Sequence, residues 1–207
     1  MTDGCAVIVF AKAPVPGTVK TRLAGHLGAE AAARLAERML VETAGQALAA
    51  KVGPVEICCA PDASHAAFGR LAGERALALE EQGEGDLGER MQRAFARVLA
   101  RHQRAIVIGT DAPGLDAAYL RTAAQRLREH DAVLGPALDG GYTLIGLRQP
   151  QTALFEGIAW STGAVLAQTR VVLQRLGLAH VELAPLADID EPADLRHLPA
   201  AWRRVFS

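Results

Sequence analysis

The decapeptide AIVIGTDAPG at positions 105–114 constrains the fold more than any other stretch of the sequence. Its apolar, β-branched run predicts a central strand of a parallel sheet, buried on both faces. Thr110 then leads to Asp111, and the Pro-Gly pair at 113–114 is incompatible with further strand. Because ligands of open α/β sheets bind beyond the carboxyl ends of the strands, Asp111 is well placed to meet one. An aspartate that only stabilises a turn explains the same residue equally well.

Strand-like and helix-like patterns alternate along the chain, which is typical of a sheet built from βαβ units. Apolar or alternating runs predict strands at 6–10, 55–60, 76–79, 105–108, 132–134, 142–147 and 181–183. Amphipathic or Ala-rich segments predict helices at 29–50, 63–71, 86–101, 116–129, 163–176 and 192–198. Because neither a repeat nor a linker interrupts this order, we expect residues 1–207 to form one domain.

The composition excludes several classes of protein. Hydrophobic residues make up 50% of the 207 residues, which predicts a folded chain with a sizeable core. A net charge of -1 argues against a general attraction to nucleic acid or anionic membranes. Cys5, Cys58 and Cys59 are predicted to be small buried side chains in a reducing cytoplasm. With neither a signal peptide nor a membrane-spanning run, we expect a cytoplasmic protein without nucleic-acid or membrane partners, its oligomeric state open.

Cations gather in the loop after the first predicted strand. Lys12, Lys20 and Arg22 lie in this loop, which two prolines stiffen, and Gly17 lets a ligand approach the backbone closely. Sheets of this kind hold phosphates at this position, although a solvated basic loop is the other interpretation. A P-loop is excluded, because Val19 stands where the glycine before the lysine belongs. Since Lys20 and Arg22 fall outside every predicted strand and helix, we expect alanine at either position to leave the stability almost unchanged.

Carboxylates gather after the last predicted strand, in the segment DIDEP at 188–192. Capping of the helix that follows explains them in part. The second interpretation makes Asp190 a metal ligand opposite Asp111, since Mg²⁺ prefers one or two carboxylates together with substrate phosphates. The six histidines are scattered, without a Cys-His cluster, which argues against zinc.

The segment GEGDLG at 83–88 matches the G-x-G-x-x-G pattern between a predicted strand and a predicted helix. Glu84 and Asp86 would place negative charge where a pyrophosphate lies, so a dinucleotide-dependent oxidoreductase is disfavoured. We expect these glycines to form a tight turn that a flat base approaches. Asp86 and Glu89 have the spacing of a capping box at the start of the helix.

Two further turns lie in the second half of the chain. Residues 139–142 (DGGY) predict a hairpin turn, whose paired glycines serve the turn geometry. Residues 160–163 (WSTG) mark the start of a helix, with Ser161 or Thr162 as its N-cap and Trp160 in the core. Structure alone accounts for both turns.

Five segments, taken together, match one known family. They are VIVFAKAPVPG-x-x-KTRL, QGEGDLGERM, GTDAP, GPA-x-DGGY and WST, in this order and over nearly the whole chain. The sequence resembles the GT-A-like bacterial transferases known as arsenosugar-biosynthesis glycosyltransferases or radical-SAM/selenodomain-associated transferases. More distantly, it is similar to the molybdenum-cofactor and 2-phospho-lactate guanylyltransferases.

The resemblance implies a Rossmann-like nucleotide-diphospho-sugar transferase (GT-A) fold with a mixed, mostly parallel sheet flanked by helices. It also implies that Lys20 and Arg22 hold phosphates and that residues 86–88 lie against the base. Asp111 stands where the superfamily binds its metal. Because Pro113 occupies the position of the second aspartate of that motif, we expect Asp190 to complete a Mg²⁺ or Mn²⁺ site.

We therefore expect a metal-dependent transferase that uses an activated nucleotide, with a nucleotide sugar as donor and a small molecule as acceptor. Nucleotidyl transfer from an NTP to a phosphorylated small molecule is one alternative, and a non-catalytic nucleotide-binding protein is another. The expected nucleotide-binding residues are Ala11, Lys12, Gly17, Lys20, Arg22, Asp86, Leu87, Gly88 and Thr110. The expected catalytic residues are Asp111, Lys20, Arg22 and Asp139, and the expected metal ligands are Asp111 and Asp190. The expected acceptor-side residues are Gly140, Gly141, Trp160, Ser161 and Thr162.

Overall fold

The computed structural model describes residues 2–206 and contains one seven-stranded sheet in that range. The strands are β1 (Thr2–Lys12), β2 (Val55–Ala60), β3 (Ala78–Glu81), β4 (His102–Ile108), β5 (Ala132–Pro136), β6 (Tyr142–Leu147) and β7 (His180–Glu182). Their order across the sheet is β3-β2-β1-β4-β6-β5-β7. Strand β6 runs antiparallel to β4 and β5, and the other strand pairs of this sheet are parallel. The expected α/β fold with a mixed, mostly parallel sheet is confirmed.

Helices cover both faces of the sheet. They are α1 (Thr21–Leu27), α2 (Ala29–Ala50), α3 (Ala66–Arg75), α4 (Leu87–Leu99), α5 (Ala117–Arg126), α6 (Val165–Arg175) and α7 (Ala200–Arg203), with short 3₁₀ helices at Thr152–Leu154 and Pro192–His197. Helices α2, α3 and α5 pack on one face, and α4 and α6 pack on the other. Within residues 2–206, every helix is too short or too polar to cross a membrane.

The central strand β1 shows why the sequence pattern is continuously apolar. Val7 and Val9 belong to the core cluster on one face, whereas Ile8 belongs to the cluster on the other. Successive side chains of a strand point to opposite faces, so a strand covered on both sides needs apolar residues throughout. The neighbouring Cys58 and Cys59 of β2 divide between the two clusters in the same way, as buried free thiols.

Some predicted boundaries differ from the structure. The predicted strand at 76–79 starts later, because Ala76 ends α3 in a left-handed conformation with φ 53°. The predicted helix at 192–198 is a 3₁₀ helix over Pro192–His197. Helices α1 and α7, of seven and four residues, were not predicted. Such short helices depend on tertiary packing, which a local pattern does not report.

The capping box at the start of α4 is confirmed. The Asp86 side chain accepts a hydrogen bond from the Glu89 amide at 2.9 Å, and the Asp86 amide donates to Glu89 Oε2 at 2.8 Å. Both bonds satisfy amides that the first turn of a helix leaves unpaired.

Four loops meet at one edge of the sheet. The parallel strands β1, β4 and β5 end there, and β6 begins there because it runs in the opposite direction. The Ile189 amide donates to the Asp111 carbonyl at 2.9 Å, which joins the C-terminal segment to the loop after β4. The fold thus brings the basic loop, Asp111, the glycine turn and the C-terminal carboxylates to the same place.

Candidate functional site

A cavity of about 520 Å³ opens at this edge of the sheet. The predicted site residues that line it are Ala11, Lys12, Lys20, Arg22, Leu87, Thr110, Asp111, Asp139, Gly141, Trp160, Ser161, Thr162 and Asp190. The predicted site residues outside its lining are Gly17, Asp86, Gly88 and Gly140. Most of the candidate residues are therefore brought together, although they come from segments far apart in the chain.

Lys20 lies at the centre of a charged cluster. Its ammonium donates hydrogen bonds to Asp111 Oδ1, to the Ile189 carbonyl at 2.6 Å and to Asp190 Oδ1 at 3.0 Å. The Lys20 side chain is only 6% exposed, whereas the two carboxylate side chains are 49% and 45% exposed. An ammonium has three N–H donors, and these three oxygens use all of them.

The hydrogen-bond partners of Lys20 stabilise its protonated, positively charged form. Burial by itself lowers the pKa of Lys20, but the carboxylates of Asp111 and Asp190 raise it by more, so the net pKa lies above the usual lysine value. Lys20 also adopts a left-handed backbone conformation, with φ 48° and ψ 40°, directly before α1. This conformation is uncommon for a residue with a side chain. Lys20 itself lies outside every strand and helix of the described residues, as predicted, but its side chain is buried among its three oxygen partners. Arg22, in contrast, lies in α1, so the prediction that it falls outside every helix is wrong.

The two cations on either side of this loop, Lys12 and Arg22, are more accessible. Lys12 is the last residue of β1 and is exposed on the cavity wall. Arg22 lies in α1, and its guanidinium is 3.6 Å from Glu191 Oε1, with both side chains more than 60% exposed. An exposed ion pair of this length contributes little free energy. Both cations are therefore free to contact an anionic ligand.

Asp139 places a carboxylate in another part of the cavity lining. Asp139 Oδ1 accepts a hydrogen bond from the Gly141 amide at 2.8 Å. Gly140 has φ +91°, and a Cβ there would lie 2.2 Å from the Gly163 carbonyl oxygen, so only glycine fits the turn. Burial first, and the nearby Asp139 carboxylate second, raise the pKa of Asp188 to about 6. Sequence reasoning did not single out Asp188, because nothing local indicates that it approaches Asp139.

Aromatic side chains form a continuous wall beside the cavity. Phe95 stacks on Phe155 with ring centroids 5.8 Å apart, and Phe155 stacks on Trp160 at 6.5 Å. Tyr142 meets Trp160 edge to face, also at 6.5 Å. Both Tyr142 and Trp160 line the cavity. The wall presents an apolar surface to a ligand that binds there.

The glycine-rich segment at 83–88 contacts this wall. A Cβ on Gly88 would lie 2.6 Å from Trp160 Nε1 and 2.8 Å from the Phe155 carbonyl oxygen. The flat ring packed against Gly88 is thus an indole of the protein itself. The prediction of a nucleotide base at Gly88 is corrected accordingly, and the adjacent Leu87, 42% exposed, is the member of this turn that lines the cavity.

The start of α6 also differs from the prediction. Its N-cap is Ala164, without a side-chain hydrogen bond, so the prediction of Ser161 or Thr162 as N-cap is wrong. Thr162 Oγ1 instead donates to the Ala159 carbonyl at 2.7 Å and stabilises the turn before the helix. Ser161 has φ 63°, a left-handed conformation outside the helical range, and α6 begins at Val165.

Gln82 is a lining residue that sequence reasoning missed. Its Nε2 donates to the Cys58 carbonyl at 2.8 Å and the Ala11 carbonyl at 3.3 Å, and the residue is only 5% exposed. The side chain therefore joins the ends of β1 and β2 at the cavity wall. A glutamine inside the polar run EEQGEG carries no signal that it is buried.

Three oxygens converge on one point that suits a hard cation. Asp111 Oδ1, Asp190 Oδ1 and the Ile189 carbonyl are oxygen donors of the kind that Mg²⁺ and Mn²⁺ prefer. The donor set fits such an ion, and the point itself holds the Lys20 ammonium. Among the described residues, no group of three or more His, Cys, Asp or Glu side chains is arranged to hold a metal.

Known structures resemble this chain over most of its length. A candidate nucleotide-diphospho-sugar transferase from Desulfovibrio desulfuricans G20 is 29% identical, with a TM-score of 0.87 over 98% of this chain and 91% of its own. The inositol-1-phosphate CTP transferase from T. maritima is 11% identical, with a TM-score of 0.62 over 99% and 96%. The glucosyl-3-phosphoglycerate synthase from Mycobacterium tuberculosis, in complex with Mn²⁺, UDP and glucosyl-3-phosphoglycerate, is 11% identical, with a TM-score of 0.54 over 94% and 75%. The last two share the fold with this chain.

One protein family matches the sequence itself. Residues 29–162 match the family described as "Uncharacterized protein conserved in bacteria (DUF2064)". No curated protein matches the chain significantly.

Proposed function

The chain belongs to the DUF2064 family of bacterial proteins, and from this premise and its cavity we propose that it is a glycosyltransferase with a nucleotide-sugar donor. The observation that carries the proposal is the arrangement of charge in the cavity. Accessible cations, Lys12 and Arg22, line it together with the paired carboxylates of Asp111 and Asp190. The structural similarity to a candidate nucleotide-diphospho-sugar transferase at 29% identity supports this assignment.

The cations suit the diphosphate of the donor. Arg22 can donate two parallel hydrogen bonds to phosphate oxygens, and Lys12 adds a second positive charge on the cavity wall. Asp111, Asp190 and the Ile189 carbonyl would hold Mg²⁺ or Mn²⁺. When bound, such an ion neutralises charge on the diphosphate leaving group. The Mn²⁺ of the glucosyl-3-phosphoglycerate synthase, which shares the fold, supports a divalent cation here.

The acceptor side supports glycosyl transfer over nucleotidyl transfer. Asp139 lines the cavity near Asp188, and Trp160 presents part of its ring to the same space. Carboxylates accept hydrogen bonds from sugar hydroxyls and repel phosphates, so this side disfavours a phosphorylated acceptor. The resemblance of the sequence to the arsenosugar-biosynthesis glycosyltransferases also supports glycosyl transfer.

Nucleotidyl transfer is the second candidate, and the first loop favours it. Thr18, Lys20 and Arg22 all line the cavity, as expected of a loop that grips a triphosphate. In that reaction the acceptor attacks the α-phosphorus of an NTP and pyrophosphate leaves. In glycosyl transfer the acceptor attacks the sugar carbon and the nucleoside diphosphate leaves intact.

The leaving group decides between the two reactions. The protein is incubated with Mg²⁺, panels of nucleotide sugars or NTPs and candidate acceptors, and both leaving groups are assayed. We expect acceptor-dependent release of nucleoside diphosphate. Acceptor-dependent pyrophosphate without nucleoside diphosphate would replace the first proposal with the second, and nucleotide binding without any turnover would favour a non-catalytic role.

A further inference from the structure

The Lys20 ammonium is fully committed in the resting structure. Its three hydrogen-bond acceptors, Asp111 Oδ1, the Ile189 carbonyl and Asp190 Oδ1, leave it no N–H for a phosphate. The side chain is 6% exposed, so water does not compete for these bonds to any large extent. To contact a phosphate, Lys20 has to leave the oxygens that hold it.

Asp111 Oδ1, Asp190 Oδ1 and the Ile189 carbonyl oxygen are called the oxygen cage below. We propose that this cage holds either the Lys20 ammonium or a divalent cation, but not both at once. The three oxygens surround one point, and a Mg²⁺ ion bound by them at about 2.0–2.1 Å would overlap the ammonium. Two cations at such a distance would also repel each other strongly. The proposal rests on the proposed function, because the phosphates of the nucleotide are the groups that bind the Lys20 ammonium once it leaves the cage.

The Lys20 side chain can move away from the oxygen cage while the backbone of the loop stays in place. The Lys20 carbonyl accepts hydrogen bonds from the Leu23 and Ala24 amides at 2.9 and 3.1 Å, which anchors the backbone to α1. The four-carbon stem is flexible, and Lys20 already lines the cavity beside Arg22. Phosphates in the cavity therefore offer the ammonium a second set of oxygen partners within reach of its side chain.

Two consequences follow for binding. Without nucleotide, the cage is already neutralised in part by Lys20, so the free protein binds a divalent cation weakly. With nucleotide, the phosphates take the ammonium and the cage becomes free, so the nucleotide and the metal ion strengthen each other's binding.

Mn²⁺ binding without nucleotide tests the proposal directly. Electron paramagnetic resonance of free Mn²⁺ is measured for the wild-type protein, Lys20→Met and the matched control Lys12→Met, which removes the same charge from the cavity wall. We expect Lys20→Met to bind Mn²⁺ more tightly than wild type by on the order of tenfold or more. Lys12→Met should change the affinity much less. Equal Mn²⁺ affinities in wild type and Lys20→Met, or equal gains in both variants, would overturn the proposal.

A second measurement tests the proposal in case Lys20→Met is destabilised or does not fold. Lys20→Met leaves two facing carboxylates without a counter-ion, so its thermal unfolding is compared with and without Mn²⁺. We expect Mn²⁺ to raise Tm more in Lys20→Met than in wild type. If the variant does not fold in NaCl, refolding in Mn²⁺ at matched ionic strength supports the proposal, and failure in both overturns it. The leaving-group assay of the wild-type enzyme remains independent, so failure of the proposed function is recognised separately.

Discussion

At the scale of single residues, a side chain that lines the cavity does not necessarily contribute to the stability of the fold. Lys20 and Arg22 are two residues apart in the sequence, yet the Lys20 ammonium is buried among three oxygens and the Arg22 side chain is 65% exposed. Asp111 keeps about half of its side chain exposed while it holds Lys20. Substitutions at these three positions therefore separate binding from folding.

Asp111→Asn tests the carboxylate after β4. The amide keeps the shape of the side chain and one oxygen for Lys20, but it removes the negative charge that a divalent cation needs. We expect a folded protein whose metal-dependent turnover falls by on the order of 100-fold or more. The control is Asp131→Asn, at the opposite edge of the sheet, where the side chain accepts a hydrogen bond from the Ala179 amide at 3.0 Å. Near-normal turnover in folded Asp111→Asn would contradict the assignment.

Lys20→Ala and Arg22→Ala should behave differently in thermal unfolding. Lys20→Ala removes the partner of two carboxylates and the Ile189 carbonyl, so we expect a loss of about 1–3 kcal/mol of stability. Arg22→Ala should leave the unfolding free energy nearly unchanged, because its ion pair is exposed. It should weaken nucleotide binding by about 1.5–3 kcal/mol, measured by calorimetry. Equal stability of the two variants would argue against a structural role for Lys20.

At the scale of secondary-structure elements, close packing between α4 and the aromatic wall shapes one side of the cavity. Gly88 lies in the first turn of α4, against the indole of Trp160. The same helix is held to β2 by Arg97, whose guanidinium donates to both Glu56 carboxylate oxygens at 2.6 and 2.9 Å. The position of Trp160 in the cavity thus depends on how closely α4 approaches.

Gly88→Ala tests this approach. The new Cβ would lie below 3.0 Å from both Trp160 and a backbone carbonyl, so either α4 or the indole has to shift. We expect a loss of about 1–3 kcal/mol of stability and a changed Trp160 fluorescence spectrum. The matched control is Gly69→Ala in α3, where nothing lies within 4 Å of the added Cβ. There alanine should stabilise the helix by roughly 0.5–1 kcal/mol, and a similar gain at position 88 would refute the packing argument.

At the scale of the whole molecule, a small separate core supports the cavity from the C-terminal end of the chain. Leu23 of α1, Ile189 and Trp202 of α7 belong to the same buried cluster, together with residues of α2. The guanidinium of Arg38 lies 4.6 Å from the centroid of the Trp202 ring. This cluster holds both Lys20, which precedes α1, and Asp190, which follows Ile189.

Trp202→Ala tests the link between this core and the cavity. Trp202 is 7% exposed, so its removal should cost about 3–5 kcal/mol of stability. Because α1 and the segment around Ile189 lose their common support, nucleotide binding in the remaining folded protein should weaken as well. Val205→Ala is the control, since Val205 is 63% exposed and should change neither quantity. Unchanged nucleotide affinity in folded Trp202→Ala would separate the C-terminal core from the site.

We propose that residues 1–207 form one domain, as the single sheet within residues 2–206 supports.

The sequence by itself determined the features that depend on neighbouring residues. The apolar run before Asp111 predicts a buried strand with a carboxylate at its end, and the spacing of Asp86 and Glu89 predicts the start of α4. Both rest on side-chain periodicity and local hydrogen bonds. Only the tertiary structure decided that Lys20 meets Asp111 and Asp190, which lie 91 and 170 residues away. Contacts of this kind depend on the strand order, which brings segments distant in the sequence to the same end of the sheet. A local sequence pattern does not indicate whether a cation in a loop contacts solvent, a phosphate or carboxylates of its own chain.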